Sequence, residues 1–253
     1  MTDWNSVFDG ILTERQFKVN EPMNRHNTYG IGGPADVFVM PQTEDQLKQV
    51  LRRADELHIP VTVIGGGSNS LISDKGIRGI TLCTARMKSS TVRNGNQIIV
   101  TGGAGTGAVS RFAMKEGLSG LEFAAGIPGT LLGAVFMNAN GYGSKFANVV
   151  HSVRTVTRDG RQEKHYTLEE IQYGDSDSVF MHNGDIVLEV VFDLKEGKPE
   201  EIKAVMDEYQ ASRRAKQPLE KRSAGTMFLR PPGHYVGPMI KGCDLMGFAI
   251  GDA

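Results

Sequence analysis

The sequence predicts an α+β protein with two lobes and a partial third unit. Up to about residue 80, strand-like apolar segments alternate with a helical pattern, which is typical of a small α/β unit. From there to about residue 195 strands dominate, and a helical segment follows a charged link. The 31 glycines among 253 residues cluster at turns between these segments, so they indicate connecting loops rather than a flexible linker.

Composition and charge are those of an ordinary globular protein. Lys and Arg number 28 against 29 Asp and Glu, so no global field attracts nucleic acid or an anionic membrane. No stretch approaches the ~18 apolar residues of a membrane span, and no signal-peptide core is recognisable. Cys83 and Cys243 are too few for a metal cage. We expect a cytoplasmic protein without metal, nucleic-acid or membrane partners.

The first unit is predicted as strand, helix, strand and glycine loop. Residues 35–40 alternate as a strand, and a helix follows in which Thr43 and Gln46 are placed as a capping box. Pro60 ends this helix. The apolar residues 61–64 form a short strand that leads directly into the sequence GGGSNS.

The second unit is predicted as a series of antiparallel strands. Asn94-Gly95 and Asp159-Gly160 mark hairpin turns, and residues 185–194 form a long apolar strand. A helix between the hairpins ends at Gly117. After the charged link, a last helix runs into the basic cluster 212–222, which we interpret as a solvated helix end rather than a phosphate-binding patch.

Three glycine-rich loops are candidate ligand sites. Residues 102–108 contain G-x-G-x-x-A, and Glu122 follows at a suitable distance, but the preceding strand belongs to a hairpin, which disfavours a Rossmann site. Residues 65–70 expose successive backbone N–H groups that can bind a pyrophosphate. Residues 125–134 offer small side chains at a helix start. Each loop alone is as well explained by a turn, whereas the last two together suggest a dinucleotide bound between lobes.

Four motifs, in this order, resemble the UDP-N-acetylenolpyruvoylglucosamine reductase family, in its shorter form that lacks a Tyr-bearing loop. They are HNTYGIGGPADVFVMPQT, GGGSNSLISDKGIRG, GLSGLEFAAGIPGTLLGAVFMNANGYG and RRAKQPLEKRSAGTMFLRPPGH. The resemblance covers nearly the whole chain from about Asn20. It implies a two-lobed FAD-binding domain of the vanillyl-alcohol-oxidase (PCMH) type, followed by an α/β substrate domain. The implied units are an N-terminal extension 1–19, lobe 1 at 20–82, lobe 2 at 83–196, and an incomplete substrate domain at 197–253.

The resemblance also implies the ligands. FAD is the expected cofactor, NADPH the expected electron donor, and a UDP-sugar the expected small-molecule substrate; no oligomeric state is implied. The expected cofactor-binding residues are Gly65, Gly66, Gly67, Ser68, Asn69, Ser70, Ala125, Gly126, Ile127, Pro128, Gly129, Thr130, Gly133, Asn138 and Ile186.

The catalytic motifs depart from the family pattern. The family reduces an enolpyruvyl group with help from an Arg, a proton-donating Ser and a C-terminal Glu. Here Ser176 stands at the Arg position between two acids, and Thr226 stands at the Ser position. A fixed cation near developing negative charge is usually a large contribution to catalysis. The chain, ending at Ala253, has no residue that corresponds to the Glu.

Three functions remain open on these residues. The first is a working reductase in which His182, Arg222 or Arg230 replaces the missing cation. The second is a divergent FAD-dependent oxidoreductase that acts on a different substrate. The third is a non-catalytic FAD-binding protein.

Overall fold

The computed structural model describes residues 2–225, 228, 231 and 233–251, which fold around two large β-sheets and include two further sheets of two strands each. The strands of these residues are β1 Phe17–Pro22, β2 Pro34–Val39, β3 Val61–Ile64, β4 Ile77–Cys83, β5 Ser90–Asn94, β6 Gln97–Thr101, β7 Leu118–Ser119, β8 Asn140–Gly141, β9 Ser144–Lys145, β10 Val150–Val156, β11 Glu163–Thr167, β12 Ile186–Asp193 and β13 Lys195–Glu196. The α-helices are α1 Trp4–Phe8, α2 Glu44–Glu56, α3 Thr106–Lys115, α4 Leu131–Phe136, α5 Leu168–Ile171, α6 Val179–Asn183, α7 Pro199–Lys216 and α8 Val236–Gly242. Single 3₁₀ turns occupy Glu14–Gln16, Met23–Arg25, Thr84–Arg86, Glu122–Gly126 and Phe146–Asn148.

The first lobe is a four-stranded sheet in the order β1-β2-β4-β3. β2, β4 and β3 are mutually parallel, and α2 connects β2 to β3 while burying Leu47 and Leu51 against the sheet. The N-cap of α2 is Thr43, as predicted, because its hydroxyl accepts the Gln46 N–H. The returning half of the capping box differs: the Gln46 side chain accepts the N–H of Gln42 instead of that of Thr43.

The N-terminal residues are part of this lobe. Trp4 and Phe8 of α1 are buried in the same apolar cluster as α2, and β1 starts at Phe17. The boundary expected at residue 20 therefore falls inside β1.

The second lobe is a five-stranded antiparallel sheet in the order β11-β10-β12-β6-β5. β5 and β6 form the hairpin predicted at Asn94-Gly95, and β10 and β11 form the one predicted at Asp159-Gly160. Residues 102–108 lead from β6 into α3, but β6 pairs antiparallel with both of its neighbours. A Rossmann fingerprint requires a parallel strand–helix–strand unit, so this glycine segment is a strand-to-helix turn.

The two lobes share a core and an ionic contact. Val156, Ile186 and Leu188 of the second sheet lie in the same apolar cluster as α2. Beside this cluster, the two terminal nitrogens of Arg154 each donate to a carboxylate oxygen of Glu44, at 2.9 Å. The Arg154 side chain is only 16% exposed, so this ion pair is shielded from solvent.

Helix α7 packs on the second lobe and not on a separate body. Ile202 and Met206 are buried where α7 crosses α3 and the 3₁₀ turn Glu122–Gly126. Its last turn carries the basic cluster that the sequence analysis assigned to solvent. Among the described residues, no helix has the length and apolar character needed to cross a membrane.

Candidate functional site

The first glycine loop, residues 65–70, follows β3 at the edge of the first lobe. Gly67 has a φ of +66°, and its carbonyl accepts the Thr28 N–H at 3.2 Å. No described residue accepts a hydrogen bond from the backbone N–H groups of residues 66–69. A run of N–H groups without protein acceptors is the arrangement that binds phosphate oxygens.

The second glycine loop, residues 125–130, joins the 3₁₀ turn Glu122–Gly126 to α4. Thr130 is the N-cap of α4 and is buried. The loop is tied to the start of α3, because the backbone N–H and the hydroxyl of Thr106 both donate to the Gly129 carbonyl, at 3.1 and 3.2 Å. These contacts hold the loop in a fixed conformation.

The two loops meet across the boundary between the lobes. The Ser68 hydroxyl donates to the Pro128 carbonyl at 3.1 Å. A Cβ on Gly66 would lie 3.0 Å from the Gly129 Cα, and a Cβ on Gly65 or Gly129 would overlap a hydroxyl of the opposite loop. Close approach of two backbones requires glycine at these positions. The sequence predicted that these two loops hold a dinucleotide between lobes; the loops lie against each other, and their contact with a dinucleotide stays a prediction.

A cavity adjoins the first loop on the side of the first lobe. It measures about 460 Å³, and Asn69, Ser70 and Ile72 are among its lining residues. Pockets for organic ligands are typically of this size. A mainly backbone surface, N–H groups without acceptors and a neighbouring cavity are together suited to a phosphate-containing dinucleotide such as FAD.

The segment before the proton-donor position is brought to the first loop. The Thr28 hydroxyl donates to the Ser223 carbonyl at 2.5 Å, and Arg222 donates to the Gly30 carbonyl at 3.2 Å. Gly225 faces Asn69 of the loop, with its Cβ position 3.6 Å from the amide oxygen. Thr226 itself, like the replacement cation Arg230, lies outside the described residues.

The remaining expected cofactor residues occupy different environments. Asn138 is buried, and its side chain donates to the Gly174 carbonyl at 2.8 Å and accepts the Ala147 N–H at 2.9 Å. Gly133 lies on the exposed side of α4. Ile186 is buried in the cluster between the lobes. The polar atoms of Asn138 are thus used within the protein, and contact of these three residues with the cofactor stays a prediction.

The acidic turn Asp175-Ser176-Asp177 abuts the carboxyl end of α4. The Gly174 N–H donates to the Asp177 carbonyl at 2.9 Å, which closes the turn, and Ser176 adopts a left-handed φ of +56°. Hydroxyls on either side anchor it: Tyr173 donates to the Val135 carbonyl at 3.0 Å and Ser178 to the Phe136 carbonyl at 2.5 Å. The turn therefore sits at the opposite end of α4 from the second glycine loop.

Two of the suggested replacement cations are already engaged. His182 pairs with Asp177 at 2.9 Å, and its hydrogen bond holds the pKa of that carboxyl below the ordinary value. The His182 side chain is 70% exposed to solvent. Arg222 donates its hydrogen bond to the Gly30 carbonyl.

A different cation, which the sequence analysis assigned to solvent, lies at the second loop. The guanidinium of Arg213, near the end of α7, is 3.3 Å from the Cβ position of Gly126. Next to it, the rings of Tyr142 and Tyr209 stack with centroids 4.2 Å apart, and the Tyr142 hydroxyl donates to the Tyr209 carbonyl at 2.6 Å. No local pattern marks these contacts, because they depend on how α7 crosses the second lobe.

Comparison with known proteins defines the class first. Residues 35–165 match the family model described as an FAD binding domain. The fold is shared with an alkyldihydroxyacetonephosphate synthase, at a TM-score of 0.57 and 15% identity over 77% of this chain and 40% of that one. The protein accordingly has the two-lobed FAD-binding fold expected from its sequence.

More similar relatives narrow the class to one family. A UDP-N-acetylenolpyruvoylglucosamine reductase of Geobacillus thermodenitrificans is 44% identical over 96% of this chain and 79% of its own length. One of Clostridioides difficile is 40% identical over 95% of this chain and 79% of its own. The crystal structure of the Thermus caldophilus enzyme superposes with a TM-score of 0.74, at 31% identity, over 94% of this chain and 83% of that one. The chain belongs to the UDP-N-acetylenolpyruvoylglucosamine reductase family.

Proposed function

We propose that this protein binds FAD on the surface formed by the two adjoining glycine loops and reduces UDP-N-acetylenolpyruvoylglucosamine to UDP-N-acetylmuramate with NADPH, a step of peptidoglycan precursor synthesis in the cytoplasm. The observation that carries the proposal is the meeting of residues 65–70 and 125–130 from different lobes, in a chain 44% identical to a reductase of that name. When bound, FAD supplies hydride chemistry, passing two electrons from the nicotinamide to the enolpyruvyl double bond.

The described residues provide the binding surface for this chemistry. The N–H groups of residues 66–69 bind the pyrophosphate, since they have no acceptor among the described residues. The loop 125–130, held by Thr106, presents its backbone to the flavin. Glycine at positions 65, 66 and 129 keeps side chains out of the contact between the loops.

We assign proton donation to Thr226. It follows Gly225, which lies against Asn69 of the first loop. A threonine hydroxyl donates a proton as a serine hydroxyl does, although its methyl group restricts the rotamer. Ser176 offers a neutral hydroxyl at the position where the resemblance expects a cation, so charge stabilisation must come from another group.

The test follows flavin oxidation state anaerobically. Purified protein should show flavin absorbance, lose it on mixing with NADPH, and regain it when the enolpyruvyl UDP-sugar is added. Thr226→Val should leave reduction by NADPH unchanged and slow reoxidation by about 10²-fold or more, because it removes only the hydroxyl. Thr226→Ser is the matched control and should reoxidise at or above the wild-type rate.

Other outcomes separate the alternatives. Reduction by NADPH without reoxidation by the UDP-sugar would refute this substrate and favour a divergent oxidoreductase. Bound flavin that no nicotinamide reduces would favour a non-catalytic flavoprotein. Absence of flavin would refute the proposal as a whole.

A further inference from the structure

We propose that Arg213 supplies the fixed positive charge beside the flavin that stabilises its reduced, anionic form. The inference rests on the proposed function, because it assumes that loop 125–130 faces the flavin. The sequence predicted that Arg213 belongs to a solvated helix end, so a role at the flavin was not expected for it. The proposal is supported by the contact between the Arg213 side chain and Gly126 of that loop.

The Arg213 side chain is in van der Waals contact with the second glycine loop. The terminal nitrogen and the Cδ of Arg213 lie 3.3 and 3.4 Å from the Cβ position of Gly126, so the side chain packs against this residue. A Cβ at position 126 would push the Arg213 side chain aside by a few tenths of an ångström. The Arg213 Nε donates to the Gln217 side chain at 2.9 Å, which fixes the guanidinium plane. The half-buried position limits the other rotamers that the side chain can adopt.

The charge of Arg213 is not neutralised within the part of the chain that the structure describes. It forms no ion pair with a described carboxylate, whereas Arg154, the shielded arginine between the lobes, contacts three. A half-buried guanidinium without a counter-ion creates a positive potential that is weakly screened by salt. Such a potential stabilises any negative charge that develops at the loop.

Hydride transfer to a bound flavin would add two electrons and one proton, and hence one negative charge. A cation held beside the ring system, as Arg213 would be, would stabilise that charge. Arg213 thereby favours reduction by NADPH. It acts on the first half-reaction, while Thr226 acts on the second.

A purely structural role is the competing explanation. Arg213, Arg214 and Lys216 occupy the last turn of α7, where positive charge favours the helix dipole. Arg214 provides the matched control: it is the adjacent residue of the same type, it is exposed, and its Nε donates to the Gln210 carbonyl at 3.4 Å. A helix-end effect would be similar for the two arginines, whereas an effect on the flavin would be specific to Arg213.

The experiment measures the two-electron midpoint potential of bound flavin in wild type, Arg213→Met, Arg213→Lys and Arg214→Met, with FAD affinity measured in parallel. Coulomb interaction of unit charges several ångströms apart at an effective dielectric of about 20 changes an equilibrium tenfold or more. Arg213→Met should therefore lower the potential by about 30 to 60 mV, since about 30 mV corresponds to tenfold for two electrons. Arg213→Lys should fall between wild type and Arg213→Met, and Arg214→Met should equal wild type.

Each remaining outcome overturns the assignment. Equal potentials in wild type and Arg213→Met would show that the charge does not act on the flavin, even where flavin binding and NADPH reduction uphold the proposed function. Weaker FAD binding at an unchanged potential would assign Arg213 to the phosphates. Equal shifts for Arg213→Met and Arg214→Met would assign it to the helix end. If wild type binds no flavin, the proposed function fails and the assignment fails with it.

Discussion

Replacing Gly67 by alanine tests whether the first glycine loop depends on a close backbone approach. Its φ of +66° costs an alanine about 1–2 kcal/mol. In addition, the new Cβ would lie 2.8 Å from the Asn27 Cα and overlap the His26 carbonyl oxygen, well inside the ~3.5 Å of ordinary carbon contacts. Relief of that overlap requires backbone movement, which adds about 1–3 kcal/mol. Gly67→Ala should therefore lower the free energy of unfolding by about 2–5 kcal/mol.

Gly95→Ala is the matched control for Gly67→Ala. Gly95 has nearly the same φ, +60°, but no atom of the described residues lies within 4 Å of its Cβ position. Gly95→Ala should lower the free energy of unfolding only by the cost of an alanine at positive φ, about 1–2 kcal/mol. Urea unfolding of the apoproteins compares the two losses, and FAD titration should show at least a tenfold weaker affinity for Gly67→Ala alone. Equal losses in the two variants, or unchanged FAD affinity in Gly67→Ala, would refute the role of the close approach.

Three further predictions concern stability and thiol reactivity. Arg154→Met should lower the free energy of unfolding in urea by about 2–3 kcal/mol, because it leaves partly buried carboxylates unpaired; a loss below ~0.5 kcal/mol would contradict this. The Lys48 hydrogen bond lowers the pKa of the Glu163 carboxyl from its ordinary 4.5, so this ion pair should stabilise the fold fully above pH 4.5 and lose that contribution as the pH falls through the folded-state pKa. Lys48→Met should therefore flatten the acid-side decline of the urea unfolding midpoint. An unchanged decline would contradict the contribution of this ion pair. Burial raises the pKa of Cys83, so a thiol reagent at pH 8 should modify only Cys243 in the native protein and both thiols in urea; native modification of a Cys243→Ser variant would contradict the buried position.

Local signals explain why most elements could be predicted from the sequence. Hairpin turns at Asn94-Gly95 and Asp159-Gly160 are set by residues that adopt the turn themselves, and the N-cap at Thr43 depends on a neighbour three residues away. The order of strands in the two sheets carries no comparable local signal. It depends on pairing between distant segments, which alternation patterns do not encode.

The candidate site likewise has a part that could be predicted from local sequence and a part that could not. The glycine loops could be recognised because backbone phosphate binding requires glycine in a short run. The approach of Arg213 to Gly126 could not, because a basic helix end has the same sequence whether it faces solvent or a loop. Which of the two occurs depends on the burial of Ile202 and Met206, which fixes how α7 rotates onto the second lobe.

Ser176→Arg tests whether the acidic turn at the carboxyl end of α4 faces the reacting group. Ser176 already adopts a left-handed φ, so an arginine there adds little backbone strain. Its charge would lie beside Asp175 and Asp177 and near the carboxyl end of α4, all of which favour a cation. We therefore expect a folded variant whose flavin, once reduced by NADPH, is reoxidised by the enolpyruvyl UDP-sugar at least tenfold faster than in wild type. Asp175→Asn, one residue away and exposed, changes the net charge by the same +1 and is the control for altered charge alone. Equal rates in Ser176→Arg and wild type, with equal binding of the UDP-sugar, would show that the turn does not face the reacting group.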